Sequence, residues 1–323
     1  MNEANLVRTD LALEAREAAG EIPGVSMEQE ELDGTTITRV KVFSPEGARA
    51  LGKPMGNYIT LENAALSEAE ALRGGELGAV IAREIRALLK AGEDACPMVA
   101  GLGNRNLTPD SLGPRVTEAL FISRHIKETM PELLDQKVRP VCAVSPGVMG
   151  ETGIETGELI LAAVRAVKPS CLIVVDSLAA RSASRVLGTV QISDAGVSPG
   201  SGVGNHRSAL TRQSLSLPVI AIGVPMVVHA AVIGRDTLER AIDEIAGGAG
   251  ENSALAKELA AYREGRALDG LLRRAQGELM QNFVVTPISI DEAVRNVAQL
   301  VAEGINLCLQ PEMSREEILA LTL

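Results

Sequence analysis

Asp110 and Asp176 are the residues whose surroundings best suit acid–base chemistry. Asp110 closes the stretch Gly101-Leu-Gly-Asn-Arg-Asn-Leu-Thr-Pro-Asp110, which follows the apolar run Met98 to Leu102, and Asp176 follows a second run, Leu172-Ile-Val-Val175. In an open sheet with helical crossovers, the C-terminal ends of parallel strands lie along one edge. Acids distant in sequence can converge there over one pocket. Two carboxyl groups held close cannot both ionise, so one keeps a proton while the other takes one from water. Hydrolysis of an amide without a covalent intermediate requires that division. A plainer reading competes at both positions: Asp176-Ser177 suits a helix N-cap, and Asp110 after Thr-Pro suits a turn.

Other chemistries fit less well. Gly101-x-Gly103 lacks the third glycine of a dinucleotide fingerprint, because position 106 is Asn. Gly196-x-Ser198-x-Gly200 has the spelling of a hydrolase elbow, but Pro199 and the run Gly200, Gly202, Gly204 do not open a helix. The backbone amides of that loop suit an oxyanion or an extended peptide, or make an ordinary turn. His125, His206 and His229 are scattered, and the absence of a His-Glu-x-x-His helix excludes a zincin. A metal site drawing on Asp110, Asp176 and one loop histidine stays open. Glu151 and Glu155 read as caps of the helix that follows them. Arg181, one turn beyond Asp176, favours ionisation of a neighbour if it points inward.

The elements that must position these residues follow from periodicity. Strands are expected at 35–44, 53–61, 98–102, 138–144, 171–175, 189–193 and 218–223. Leu77, Ile81, Ile85 and Leu88 recur at helical spacing between Glu76 and Lys90. Further helices are expected at 11–19, 116–127, 156–167, through 236–281, at 290–308 and at 314–321. Strands alternating with helices predict an α/β fold, mainly a parallel sheet with helices on both faces, plus a small β appendage near 35–62 and a helical C-terminal region. One large domain with an appendage suits 323 residues better than two independent units.

Composition narrows the partners. The net charge is −11, Trp is absent, and there are two Tyr and three Phe, so nucleic acid is disfavoured for want of both a basic field and stacking rings. No apolar run approaches the roughly 20 residues of a membrane span, and Glu3, Arg8 and Asp10 leave no signal-peptide core. The expectation is a soluble, intracellular protein. Cys96, Cys142, Cys171 and Cys308 are widely spaced, which suits free thiols rather than disulfides or a zinc knuckle.

Blocks along nearly the whole chain resemble the germination proteases of spore-forming bacteria. They are Arg8-Thr-Asp-Leu-Ala-Leu-Glu-Ala15, Lys53-Pro-Met-Gly-Asn-Tyr58, the Gly101 to Pro114 stretch, Pro146-Gly-Val-Met-Gly150 and Thr152-Gly-Ile-Glu-Thr156. Asp176-Ser-Leu-Ala-Ala-Arg-Ser182, Gln191-Ile-Ser-Asp194, Pro199 to Asn205, Pro218 to Pro225 and Val285-Thr-Pro287 complete the set. The resemblance implies an endopeptidase that degrades small acid-soluble spore proteins in the spore core at germination. Asp110 and Asp176 then correspond to the catalytic pair of an atypical aspartic peptidase, with no cofactor. Asn104, Arg181, Asp194, Gly200, Gly202 and Gly204 are its candidate supporting residues.

The same resemblance implies a zymogen that removes residues 1–10 by cutting between Asp10 and Leu11, within a stretch that mimics the substrate's own motif. It implies a homotetramer, and a fold like that of the hydrogenase-maturation endopeptidases, in which acids at comparable strand ends hold a metal. A metal-dependent endopeptidase, or a non-enzymatic metal-binding protein on the same scaffold, is therefore the runner-up. The region 235–280 is shorter here than the family pattern.

Overall fold

The structure, a computed structural model, describes residues 9–89, 96–198, 209–248, 254 and 283–322. Its strands are β1 (Val25–Leu32), β2 (Thr35–Val42), β3 (Gly56–Glu62), β4 (Met98–Gly101), β5 (Cys142–Val144), β6 (Leu172–Ala180), β7 (Thr189–Ser193), β8 (Val219–His229) and β9 (Val284–Val285). Among the described residues they make a single nine-stranded sheet in the order β1-β2-β3-β7-β8-β6-β4-β5, with β9 also beside β8. The fold is α/β, as the alternation of elements predicts. The parallel part is confined to β5, β4, β6 and β8, and the other pairings are antiparallel. The strands expected as a small β appendage near 35–62 join this sheet through β3, which pairs with β7 from Tyr58↔Ser193 to Glu62↔Thr189.

Alternation assigns the two faces. On one, Ile37, Ile59, Ile173, Val175, Val190 and Ile192 pack under the helices α3 (Glu76–Leu88) and α7 (Ile290–Leu309). Val294, Val297 and Val301 give α7 its apolar stripe, and Gly304 lets it close on α3. A Cβ at Gly304 would meet the Ile81 side chain at 2.4 Å.

The opposite face carries two separate clusters. Met98, Ala100, Leu172 and Val174 pack with Ile160 and Val164 of α5 (Thr156–Val167). Val40, Val42 and Tyr58 pack with Ala12 of α1 (Ala12–Ala19) and Leu51 of α2 (Pro45–Leu51). Asp176 is out of phase with Ile173 and Val175, and Gln191 with Val190 and Ile192, so both lie on this second face. The remaining longer helices are α4 (Leu112–Glu118), α6 (Ala230–Gly248) and α8 (Arg315–Thr322).

Three local expectations change. The helix expected at 116–127 is broken between α4 and a short turn of helix at Arg124–Thr129. There, other elements take the amides: Phe121 N–H donates to Asn306 Oδ1 at 3.0 Å and Ser123 N–H to Val141 O at 3.1 Å. Strand β1 had no signal, since Val-Ser-Met-Glu-Gln-Glu-Glu-Leu neither alternates nor buries much, which suits a polar sheet edge. Finally, β6 and β8 run past Val175 and Gly223 to Ala180 and His229.

Candidate active site

Asp176 sits where one strand outruns its neighbour. Strand β4 stops at Gly101, level with Val175, while β6 continues to Ala180 paired on its other side with β8. Asp176 is thus the first residue beyond the end of β4, inside a strand rather than at a strand end or a helix cap. Across the sheet it pairs with Gly223, and Gly223 pairs with Gln191. Asp176 and Gln191 therefore face the same way, about 10 Å apart at the backbone by twice the usual strand spacing, with the Leu178 side chain folded over Gly223 between them.

Asp110 is folded back onto the same edge. Leu102 N–H donates to Val175 O at 2.8 Å, and the chain then turns at Gly103, whose φ is +112°. A Cβ there would meet the Asp110 carbonyl oxygen at 2.0 Å, so glycine is what permits the approach. Asp110 ends a tight turn over Thr108–Asp110, and its Oδ2 accepts from Asn104 N–H at 2.9 Å.

Burial raises the pKa of Asp110; the Asn104 hydrogen bond opposes this and the charge of Glu151 adds to it. Asp176 is pushed up to about 8, by burial first and then by the charge of Asp110, with Asp10 adding and the Ser177 N–H opposing. The structure thus brings Asp110 close enough for its charge to be felt at Asp176. Glu151 does more than cap a helix: its Oε1 accepts from Asn106 Nδ2 at 3.1 Å, tying the Asp110 loop to the next turn.

The free edge of β6 is occupied by the chain's own N-terminal stretch. Asp10 N–H donates to Ala179 O at 3.1 Å, and Asp10 Oδ2 accepts from Ala179 N–H at 2.8 Å. Leu11 is wholly buried. Glu14, 2% exposed, accepts from Arg181 N–H at 2.7 Å and Ser182 N–H at 2.9 Å, and the Thr9 hydroxyl also donates to it. The Asp10 carbonyl oxygen accepts from Lys53 Nζ at 2.9 Å and Gln191 Nε2 at 3.2 Å, while Gln191 Oε1 accepts from Ala12 N–H at 2.7 Å.

Not every candidate joins this constellation. Asp194 accepts both the backbone and the side-chain N–H groups of Asn57, each at 2.7 Å, and so clips β7 to the start of β3. Arg181 contributes its backbone amide, and its side chain lines a cleft of about 290 Å³ with Glu14, Arg185 and Asp236 rather than turning toward Asp176. Gly200, Gly202, Gly204 and His206 lie outside the described residues. Among the described residues no group of three or more His, Cys, Asp or Glu side chains is placed to share a metal ion.

Lys53, Gln191 and Glu14 were not singled out from the sequence. Their signals were faint: a lysine in a turn, the one amide in Thr-Val-Gln-Ile-Ser, and an acid inside a helix.

Fold and site together define an α/β protein that presses a peptide-like stretch of its own chain against an acid-lined strand edge. The sequence model of the germination protease family matches residues 2–266. The germination protease of Caldanaerobacter subterraneus subsp. tengcongensis is 44% identical over 314 residues, covering 97% of each chain. That of Clostridium perfringens is 41% identical over 324 residues, covering 97% of this chain and 98% of the relative. The chain belongs to the germination protease family and is a peptidase. Among solved structures, a [NiFe] hydrogenase maturation protease HycI from Thermococcus kodakarensis aligns with 44% of this chain and 80% of its own, at 19% identity and a TM-score of 0.29, a likeness too slight to bear on the site.

Proposed function

We propose that the chain is an endopeptidase of small acid-soluble spore proteins, acting in the spore core, in which Asp110 and Asp176 activate water between them. The observation that carries this reading is the placing of Asp110 close enough for its charge to act on Asp176, on a half-buried strand edge already holding a peptide segment. Asp176, with its pKa near 8, holds the shared proton at neutral pH and serves as the acid. Asp110, whose carboxylate the Asn104 amide stabilises, is the base. Asp10–Leu11 is the self-processing bond, so that residues 1–10 are a propeptide and the unprocessed chain is a zymogen. The tetramer is carried over with the family.

The test is direct. Asp110→Asn and Asp176→Asn are expected to keep the fold but to lower cleavage of a Thr-Asp-Leu-Ala-Leu-Glu peptide, and of the chain's own N-terminus, by about 10³-fold or more. Near-normal rates in either folded variant would refute the pairing. Activity that vanishes with a chelator and returns with added metal would favour the metal-dependent alternative.

A further inference from the structure

The Asp10 carbonyl oxygen is held by two side chains from different parts of the sheet, Lys53 in the turn before β3 and Gln191 on β7. The segment is also held independently of these bonds, by main-chain groups of Ala179, Arg181 and Ser182. Among the described residues, Lys53 Nζ spends its hydrogen bonds on two carbonyls, Thr9 O at 3.0 Å and Asp10 O at 2.9 Å. Burial of this ammonium lowers its pKa, and the charges of Asp10 and Glu14 oppose that, favouring the charged form. The sheet is therefore accepting a desolvated cation beside a neutral oxygen. Such an arrangement gains most when that oxygen becomes negative. Because Gln191 and Asp176 lie in one row either side of Gly223, the Asp10–Leu11 peptide held by Gln191 lies on the face that carries Asp176.

We infer that Lys53 and Gln191 form the oxyanion site of this peptidase, receiving the carbonyl oxygen of the bond that is cut, in the chain itself and in a substrate. The assignment rests on the reading of Asp110, Asp176 and Asp10–Leu11 given above. Water adds its oxygen to the residue 10 carbonyl carbon and yields a proton to Asp110, while the carbonyl π pair moves onto the oxygen between Nζ and Nε2. Collapse restores the C=O bond and breaks the C–N bond, and the proton on Asp176 passes to the Leu11 nitrogen. Exchange with solvent then resets the two acids.

The experiment uses the full-length chain and a Thr-Asp-Leu-Ala-Leu-Glu peptide, with Lys53→Met, Lys53→Arg and Gln191→Glu, the last keeping an acceptor for Ala12 N–H. Self-processing is followed by intact mass. In parallel, kcat, KM and the inhibition constant of the same peptide with a phosphinic group in place of the Asp–Leu amide are measured. Lys53→Met and Gln191→Glu are expected to lower kcat about 100-fold with KM changed only a few-fold, and Lys53→Arg to retain part of the rate. The phosphinic inhibitor, which carries the negative tetrahedral oxygen, is expected to weaken in proportion to the loss in kcat/KM.

Unchanged kcat, a loss confined to KM, or inhibitor affinity that does not follow kcat/KM would overturn the assignment. Should Lys53→Met fail to fold, Lys53→Arg and Gln191→Glu carry the same comparison. If the wild-type chain cuts neither itself nor the peptide, the underlying reading fails and takes this one with it. If wild type cuts, the aspartate variants do not, and Lys53→Met and Gln191→Glu keep full kcat, the oxyanion assignment alone is wrong.

Discussion

Asp176 and Asp110 have the same side chain and different neighbours, and in the proposed function the neighbours divide the labour. Asp176 faces Asp110 and Asp10 with one amide in return, whereas Asp110 has the Asn104 amide set against the charge of Glu151. Cleavage is expected to decline as pH rises past about 8, where Asp176 gives up its proton; an activity rising steadily to pH 10 would contradict the assignment. The same shift bears on stability. A carboxyl group whose folded pKa lies above its ordinary 3.8 binds more protons folded than unfolded between those values, so stability falls as pH climbs from about 4 to about 8. The slope is at most about 1.4 kcal/mol per pH unit, lessened by solvent around a half-buried group. Asp176→Asn removes this penalty, so in denaturant titrations its stability relative to wild type is expected to improve between pH 5 and pH 8.

Elements were legible where burial is one-sided or complete. Helix α5 falls at the expected 156–167, and α7 is expected at 290–308 and found at Ile290–Leu309, because each has one apolar stripe and a long run of good formers. The far end of β6 was not legible, since beyond Asp176 the partly buried Ser177, Leu178 and Ala179 owe their form to pairing with β8 rather than to apolar alternation, whereas β8 goes on burying Val224, Met226 and Val228 past Gly223. That is also why Asp176 looked like the end of a strand. The close packing of α3 on α7 offers a test at this scale. Gly304→Ala would drive a methyl group into Ile81 and is expected to cost about 1–3 kcal/mol in denaturant unfolding, with the active site intact. A neutral result would mean that the two helices can part without penalty.

At the scale of the whole molecule, the site is a seam. The two apolar clusters on the second face belong to different stretches of sheet, one under α5 and one under α1 and α2, and the row Asp176, Gly223, Gln191 crosses between them. Convergence of Lys53 and Gln191 on the Asp10 carbonyl, and of Glu14 on the Arg181 and Ser182 amides, depends on this long-range assembly, so their individual sequence contexts could not reveal it. The docked N-terminal stretch has a further consequence. Scission after residue 10 would release the leading peptide yet leave Leu11 and the first turn of α1 in place, with Leu11 sunk in its pocket and Glu14 still gripped by Arg181 and Ser182. A newly cut chain would then carry its own product stub as a built-in competitor, at an effective concentration in the millimolar range. Glu14→Ala, which loosens the stub, is expected to lower the KM of the processed chain for an outside peptide several-fold. Turnover would then be governed by how often a short leash lets go of its seat.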